Sequence, residues 1–107
     1  MRVLSDAWRQ RFGGTGRLYG QDALQLFADA HVCVVGIGGV GSWAAEALAR
    51  TGIGAIPLID MDDVCVTNNN RQIHALKDNV GQAKTEVMAA RILEINPECR
   101  VTCVDDR

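Results

Sequence analysis

Three glycines in the pattern Gly36-x-Gly38-x-x-Gly41 stand between an apolar segment and a run of helix-forming residues. The first glycine permits a tight turn, the second lets a phosphate approach the backbone, and the third lets the following helix pack closely. The N-terminus of that helix offers free N–H donors and a positive potential to the same phosphate. Asp60, nineteen residues after the third glycine, can accept hydrogen bonds from ribose hydroxyls. The spacing therefore predicts a nucleotide-binding site.

The glycine pattern suits either NAD or a nucleoside triphosphate, and the residues that follow it favour the triphosphate. The diphosphate of NAD is largely satisfied by a helix N-terminus, whereas ATP cleaved at its α-phosphate needs cations along the phosphates as pyrophosphate leaves. Arg71 and Lys84 lie beyond the second predicted strand and can supply this charge. An NAD-dependent oxidoreductase would leave both cations without a role. The structural alternative is a surface position in a polar loop for Arg71 and snorkelling at a helix end for Lys84.

The elements that position these residues alternate between strand and helix. Residues 32–36 form a β-branched apolar run without alternation, which predicts a parallel strand covered on both faces. Residues 43–50 are strong helix formers that end at a glycine stop. A second strand is predicted over residues 55–59, although Pro57 removes one backbone donor from it. This order predicts a βαβ unit with a right-handed crossover.

A second crossover helix and a third strand complete the predicted pattern. The helix is expected over residues 82–94, with Lys84 on its apolar stripe, and the strand over residues 100–104. The polar loop before this helix is too long for a simple connection, so we expect it to be functional. The elements predict a three-layer α/β fold with a parallel sheet. Residues 32–36 form its central strand, and the other two strands lie on one side of it.

The N-terminal segment is predicted to have no core of its own. Residues 1–20 hold four glycines and no sustained apolar period, so we expect an arm that docks on another surface. A short amphipathic helix is predicted to follow over residues 22–31.

Composition excludes several classes of protein. The 107 residues carry a formal net charge of −2 and are 48% hydrophobic, which is typical of a globular chain and not of a disordered one. Neither a bilayer span nor an uninterrupted apolar signal segment is present in the sequence, so a cytoplasmic location is expected. The four cysteines form no Cys-x-x-Cys pair, and we expect buried or half-buried thiols, with sulfur transfer as the alternative. They are Cys33, Cys65, Cys99 and Cys103.

Four sequence segments resemble the adenylation domain shared by E1 ubiquitin-activating enzymes and the bacterial sulfur-carrier adenylyltransferases. They are the glycine loop through Ser42, Leu58-Ile59-Asp60-Met61-Asp62-Asp63-Val64, Asn68-x-Asn70-Arg71-Gln72 and Val80-Gly81-Gln82-x-Lys84. The resemblance covers about residues 5–105 and is greatest to the tRNA threonylcarbamoyladenosine dehydratase branch. It implies a Rossmann-like sheet that is incomplete in this chain. Residues 1–20 would be the arm, and residues 21–107 the N-terminal part of the adenylation domain.

The resemblance also implies a site for ATP and Mg²⁺. The implied ATP-binding residues are Gly36, Gly38, Gly39, Gly41, Asp60, Asp62, Asn68, Arg71 and Lys84. Catalytic roles are implied for Arg71, Lys84 and Arg17. Arg17 would reach the nucleotide of the second subunit in a homodimer. Arg11 is the second choice for that role. The family's Mg²⁺-binding aspartate lies beyond residue 107, so no metal ligand is expected in this chain.

The activity implied by the resemblance is an ATP-dependent dehydration. The enzyme would adenylate the threonyl carboxylate of N6-threonylcarbamoyladenosine in tRNA and then cyclise it with loss of AMP. Two alternatives stay open: adenylation of the C-terminus of a ubiquitin-like sulfur carrier, or a non-catalytic fragment that binds nucleotide and dimerises. The implied partners are tRNA, a second copy of the chain and a cysteine-desulfurase sulfur-transfer protein.

Overall fold

The computed structural model describes residues 2–105 and has an α/β architecture. Its helices are α1 (Asp6–Tyr19), α2 (Gln21–Asp29), α3 (Gly41–Thr51) and α4 (Lys84–Ile95), and its strands are β1 (Val34–Val35), β2 (Leu58–Ile59) and β3 (Cys103–Val104). Two short 3₁₀ helices, Val66–Asn70 and Lys77–Asn79, lie in the long loop between β2 and α4. The predicted fold class is confirmed.

The three strands form a parallel sheet in the order β1-β2-β3. Val34 is paired with Leu58, which is paired in turn with Cys103. The second and third strands therefore lie on one side of the first, as predicted. Within residues 2–105 the first strand is at an edge of the sheet, so the prediction that it is the central strand is not confirmed in this range.

Pro57 explains why the paired part of β2 is short. The carbonyl of Pro57 accepts a hydrogen bond from the N–H of Val34 at 2.9 Å. Its own nitrogen carries no hydrogen, so the ladder toward β1 lacks one donor at this position. The isolated pairing of His31 with Ala55 is consequently separated from the continuous pairing that begins at Leu58.

Helices α3 and α4 cover one face of the sheet and enclose the main core. Its fully buried members include Ile37, Ala45, Ala49, Ile56, Leu58, Met88 and Ile92. On the opposite face Cys33 and Val35 are exposed, Val35 to 74%. The prediction that the first strand is covered on both faces is therefore wrong for residues 2–105. Side chains alternate along a strand, and the helices in this range pack on one face only, so two of the three expected layers are described.

The first twenty residues are not an arm without a core, so this prediction is wrong. They form α1, whose Trp8 and Phe12 pack with Leu24 and Ala28 of α2 in a second core. The glycines hide this helix in the sequence because glycine is unfavourable in a helix interior. At Gly16 a Cβ atom would lie only 3.1 Å from the Leu24 side chain, so the glycine allows the two helices to approach closely.

The other predicted helices are confirmed. Helix α3 ends at Gly52, whose left-handed φ of 95° favours glycine. The short amphipathic helix corresponds to α2, and the second crossover helix to α4. Within residues 2–105, no helix is both long and apolar enough to cross a membrane.

Replacing Trp8 with alanine should release α1 from its packing against α2. We expect a loss of about 3–5 kcal/mol in the free energy of unfolding, measured by urea denaturation of the intact protein. Trp8→Phe should cost much less, because the buried indole N–H has no hydrogen-bond partner within residues 2–105 and phenylalanine removes it. The exposed Leu18→Ala change on the same helix is the control. Equal losses for Trp8→Ala and Leu18→Ala would contradict the packing.

Candidate nucleotide site

The glycine loop has the backbone geometry that its sequence predicts. Gly36 has a φ of +85°, a left-handed conformation that favours glycine. At Gly41 a Cβ atom would lie 1.7 Å from the Gly36 carbonyl oxygen, so only glycine fits where α3 begins. At Gly38 the nearest atom to such a Cβ would be a side-chain nitrogen of Gln72 at 3.8 Å, an ordinary van der Waals distance, so no contact within the described residues requires glycine there.

Asp60 holds this loop from the end of β2. One carboxylate oxygen accepts the Ile37 N–H at 2.6 Å, and the other accepts the Asp62 N–H at 2.8 Å. In the structure Asp60 is therefore a brace between the glycine loop and its own loop. Each oxygen retains a lone pair, so Asp60 is still able to accept a hydrogen bond from a ribose hydroxyl. That contact stays a prediction.

His74 holds the next peptide unit of the loop through the Ile37 carbonyl, and sequence reasoning assigned it no role. Its Nε2 lies 2.7 Å from the Ile37 carbonyl oxygen, and the residue is 1% exposed. Burial lowers the pKa of His74 below 6.5, which favours the neutral ring. With Nε2 donating to the carbonyl, Nδ1 is a bare acceptor, and it has no partner within the described residues.

Ser42 is a second positioning residue that was missed. Its buried hydroxyl donates to the Gly38 carbonyl and accepts the Ile73 N–H at 3.3 Å. It thereby joins the glycine loop to the segment that carries Arg71 and His74. A serine at the start of the helix gives no sign of this contact, because its partner lies 31 residues away in the sequence.

Arg71 lies beside the glycine loop, and its predicted contact with phosphate stays a prediction. Its side-chain carbons are 3.7 Å from the position of a Cβ atom on Gly39. Its guanidinium donates to the Thr67 carbonyl at 3.1 Å, and its own carbonyl accepts the indole N–H of Trp43 at 2.9 Å. Arg71 is exposed, so the guanidinium is accessible from the loop side.

Asn68 is buried and builds the turn that carries Arg71. Its side-chain oxygen accepts the Cys65 N–H at 2.8 Å, and its carbonyl accepts the N–H groups of Arg71 and Gln72 at 3.2 and 3.0 Å. The contact of Asn68 with a ligand stays a prediction. Its observed contribution is to hold the turn that carries the arginine.

Lys84 begins α4 and is 7% exposed. Within residues 2–105 its ammonium group makes no hydrogen bond and no ion pair. Its backbone N–H donates to the Asp62 carbonyl at 3.1 Å, which ties the start of α4 to the end of β2. An ammonium group that makes no ion pair at this position is available to contact an anion.

An open crevice lies where β1 and β2 end. It has a volume of about 560 Å³, and its lining includes Gly36, Asp60, Met61 and Asp62. The N–H groups of Gly38, Gly39 and Val40 donate to no acceptor in the described part of the chain. The carboxyl ends of parallel strands, together with free loop donors and a helix N-terminus, form a phosphate-binding arrangement.

Arg17 is not brought to this crevice within its own chain. It is exposed on α1, where its guanidinium folds back toward Gly13 and Gly14. Helix α1 packs near Gly52, at the C-terminal end of α3, whereas the glycine loop is at the N-terminal end.

The cysteine prediction is wrong for three of the four thiols. Cys99 is buried, and burial raises its pKa, but Cys33, Cys65 and Cys103 are exposed. Cys33 lies on the uncovered face of the sheet, which the apolar sequence did not reveal. A hydrogen bond from Thr67 lowers the pKa of the Cys65 thiol. Within residues 2–105 no cluster of three or more metal-ligating side chains is found.

Comparison with known protein sequences relates the whole chain to one group. Residues 15–107 match the model of the ThiF family. The tRNA threonylcarbamoyladenosine dehydratase of Escherichia coli is 86% identical over 104 residues, which cover 97% of this chain and 39% of that protein. The protein of the same name from Haemophilus influenzae is 60% identical over 101 residues, covering 94% of this chain and 39% of that protein. The chain thus spans about two fifths of the length of these curated relatives.

A solved structure gives the same relationship in three dimensions. The crystal structure of E. coli tRNA N6-threonylcarbamoyladenosine dehydratase in complex with ATP is similar to this chain with a TM-score of 0.97. The two sequences are 86% identical, and the match covers 98% of this chain and 43% of that one. The backbone described here therefore has the conformation of part of a protein that binds ATP.

The buried His74 should make stability fall in mild acid. Its folded-state pKa lies below 6.5, so unfolding takes up a proton as the pH falls through about 6.5 toward the folded value. The free energy of unfolding should decrease over that range and be unaffected by this group at higher pH. His74→Gln should remove this component, measured by urea denaturation of the intact protein between about pH 5 and 8. His31→Gln, at an exposed histidine, is the control, and identical pH slopes for His74→Gln and the native protein would refute the assignment.

Proposed function

The chain belongs to the ThiF family, and from that premise we propose that the intact protein is an ATP-dependent dehydratase acting on N6-threonylcarbamoyladenosine in tRNA. The observation that carries this proposal is the likeness, at 86% identity and a TM-score of 0.97, to a dehydratase of that name crystallised with ATP. The free donors of the glycine loop and the nearby cations support the same ligand. Activity is proposed for the intact protein, because the chain covers 39% of its curated relatives.

The glycine loop and α3 would bind the phosphates of ATP. The unpaired N–H groups of Gly38, Gly39 and Val40 can donate to phosphate oxygens, and the N-terminus of α3 adds positive potential. Asp60, at the end of β2, is placed to accept a ribose hydroxyl while it braces the loop. These contacts are common to ATP, ADP and AMP, so they bind an adenosine nucleotide whatever its number of phosphates.

Arg71 and Lys84 would distinguish ATP by neutralising its outer phosphates. Arg71 lies over Gly39 and is exposed, and Lys84 begins α4 with no ion pair from its ammonium within residues 2–105. Charge builds on the leaving pyrophosphate as the bond to the α-phosphate breaks, so cations placed there stabilise the transition state more than the ground state. We assign both residues catalytic roles on this ground.

The chemistry would proceed in two steps. The threonyl carboxylate oxygen attacks the α-phosphorus of ATP, which forms an acyl-adenylate and releases pyrophosphate. A nucleophilic atom of the ureido group then attacks the activated carbonyl carbon, loses its proton, closes the ring and releases AMP. One carboxylate oxygen leaves with AMP, so the base has lost the elements of water. Both steps need positioning and charge stabilisation and no cysteine nucleophile.

Mg²⁺ is proposed as a companion of the triphosphate. In nucleotide sites it is held by one or two carboxylates together with phosphate oxygens. Asp62 is exposed on the lining of the crevice and fits a contact through a metal-bound water. A direct carboxylate ligand is proposed outside this chain.

A homodimer, a cytoplasmic location and a cysteine-desulfurase partner complete the proposal. The predicted docking of an arm on another surface does not support the homodimer, because α1 packs on α2 of the same chain. The homodimer rests on Arg17, which is exposed and remote from the crevice of its own chain, and which a second copy could place at the nucleotide. Sedimentation of the intact protein as a monomer well above micromolar concentration would exclude this role of Arg17.

Alanine at Arg71 or Lys84 in the intact protein should weaken adenylation while leaving the fold intact. Each charge-assisted contact to phosphate contributes roughly 1.5–3 kcal/mol, so we expect about a ten- to hundredfold loss of ATP–pyrophosphate exchange in the presence of the modified tRNA. ATP binding, measured by calorimetry, should weaken far more than AMP binding. The exposed Lys77→Ala is the matched control. Asp60→Ala should weaken ATP and AMP alike.

Three results would contradict the proposed function. Tight NAD binding, or full exchange activity in both cation variants, would refute adenylation. Exchange that depends on a ubiquitin-like sulfur carrier and not on tRNA would favour the sulfur-carrier alternative.

A further inference from the structure

A polar groove lies between α1, α3 and α4, away from the nucleotide crevice. Its volume is about 490 Å³, and it is lined by Arg11, Phe12, Arg50, Arg91, Glu94 and Ile95. We call it the arginine groove. Arg50 stands nine residues after Gly41 on α3, which corresponds to about 14 Å along the helix axis. The groove and the glycine loop are therefore at opposite ends of the same helix.

A buried carboxylate holds two of the three arginines in place. Glu46 of α3 accepts hydrogen bonds from Nε of Arg50 at 3.1 Å and from Nε and a terminal nitrogen of Arg91 on α4. Glu46 is 9% exposed, and the Arg91 contact holds the pKa of its carboxyl below the ordinary value. Glu46 stays ionised and orients two cations side by side, so it is a positioning residue of this groove.

Much of the donor capacity of the groove remains unused. Arg50 binds Glu46 through Nε alone, which leaves both of its terminal nitrogens free. Arg11, across the groove on α1, makes no hydrogen bond or ion pair in the part of the chain that the structure describes. A guanidinium presents its donors in a planar fork that matches phosphate oxygens. Guanidinium groups from different helices therefore point their unused donors into the same groove.

The distribution of charge favours a polyanion at this end of the molecule. Although the chain carries a net charge of −2, the three arginines of the groove face only Glu46 and Glu94. A local excess of positive charge attracts an approaching polyanion.

We propose that the arginine groove binds the phosphodiester backbone of the tRNA substrate. The proposal rests on the proposed function, which supplies the RNA. Arg11 and Arg50 contact phosphate, and Arg91 completes the basic wall through its bond to Glu46. Phosphate contacts fix the orientation of a nucleic acid without reading its sequence. The groove would hold the body of the tRNA while the modified base reaches the crevice along α3.

The test uses the intact protein and tRNA carrying threonylcarbamoyladenosine, with binding measured by fluorescence anisotropy over a range of KCl concentrations. Arg11→Ala and Arg50→Ala should each weaken binding roughly three- to tenfold. Each should also reduce the slope of log K against log[KCl] by about 0.7–0.9. Arg91 is left unchanged, because its removal would deprive the buried Glu46 of its main partner. Arg9→Ala, the same charge change on the opposite side of α1, is the control and should change the slope least.

Glu94→Gln supplies a change of the opposite sign. It removes a negative charge from the groove, so tRNA binding should become tighter, a result that misfolding cannot produce. ATP binding by calorimetry should be the same in Arg50→Ala, Arg9→Ala and Glu94→Gln as in the unmutated protein. Salt slopes for Arg11→Ala and Arg50→Ala that equal the slope of Arg9→Ala would overturn the proposal. So would a change in sedimentation without a change in tRNA binding, since the groove would then be an interface between copies. Absence of tRNA binding by the unmutated protein would instead refute the proposed function.

Discussion

Ile37 is the residue on which the nucleotide site depends. Its N–H is held by Asp60 at 2.6 Å, its carbonyl lies 2.7 Å from Nε2 of His74, and its side chain is fully buried in the core. Three separate segments thereby meet at one residue: the glycine loop, the end of β2 and the long loop before α4. Because these two bonds fix the peptide units on both sides of Ile37, the donors that follow it are oriented before any ligand arrives, which is the preorganisation that electrostatic catalysis needs.

The parts of this site that sequence could predict are those governed by local sterics. The positive φ of Gly36 and the 1.7 Å approach of a Cβ at Gly41 to the Gly36 oxygen leave glycine as the one residue that fits, so spacing alone revealed the loop. Ser42 and His74 were missed because each acts on a residue more than thirty positions away. Residue type alone does not indicate such a long-range hydrogen bond, because serine and histidine also occur at positions without a function.

The errors about the fold have a related cause. Helix α1 contains glycines that weaken it locally, and at Gly16 the missing side chain allows close packing on Leu24, so tertiary contact outweighs propensity. In β1, conversely, the apolar run was interpreted as cover on both faces. Residues 2–105 provide helices to one face, and Val35 and Cys33 remain exposed on the other. An apolar sequence indicates that a strand is suited to burial, but it does not show which element packs against each face.

The position of Lys84 connects the fold to the choice of ligand. A cation at the first residue of α4 meets the positive end of the helix dipole, and no ion pair of its ammonium within residues 2–105 offsets this interaction. A phosphate group would reverse the unfavourable effect, because it would face the ammonium and the helix N-terminus together. A lysine placed there is therefore unfavourable in the free protein and favourable in the complex. The favourable electrostatic interaction that is absent from the free chain contributes to the affinity for an anionic ligand.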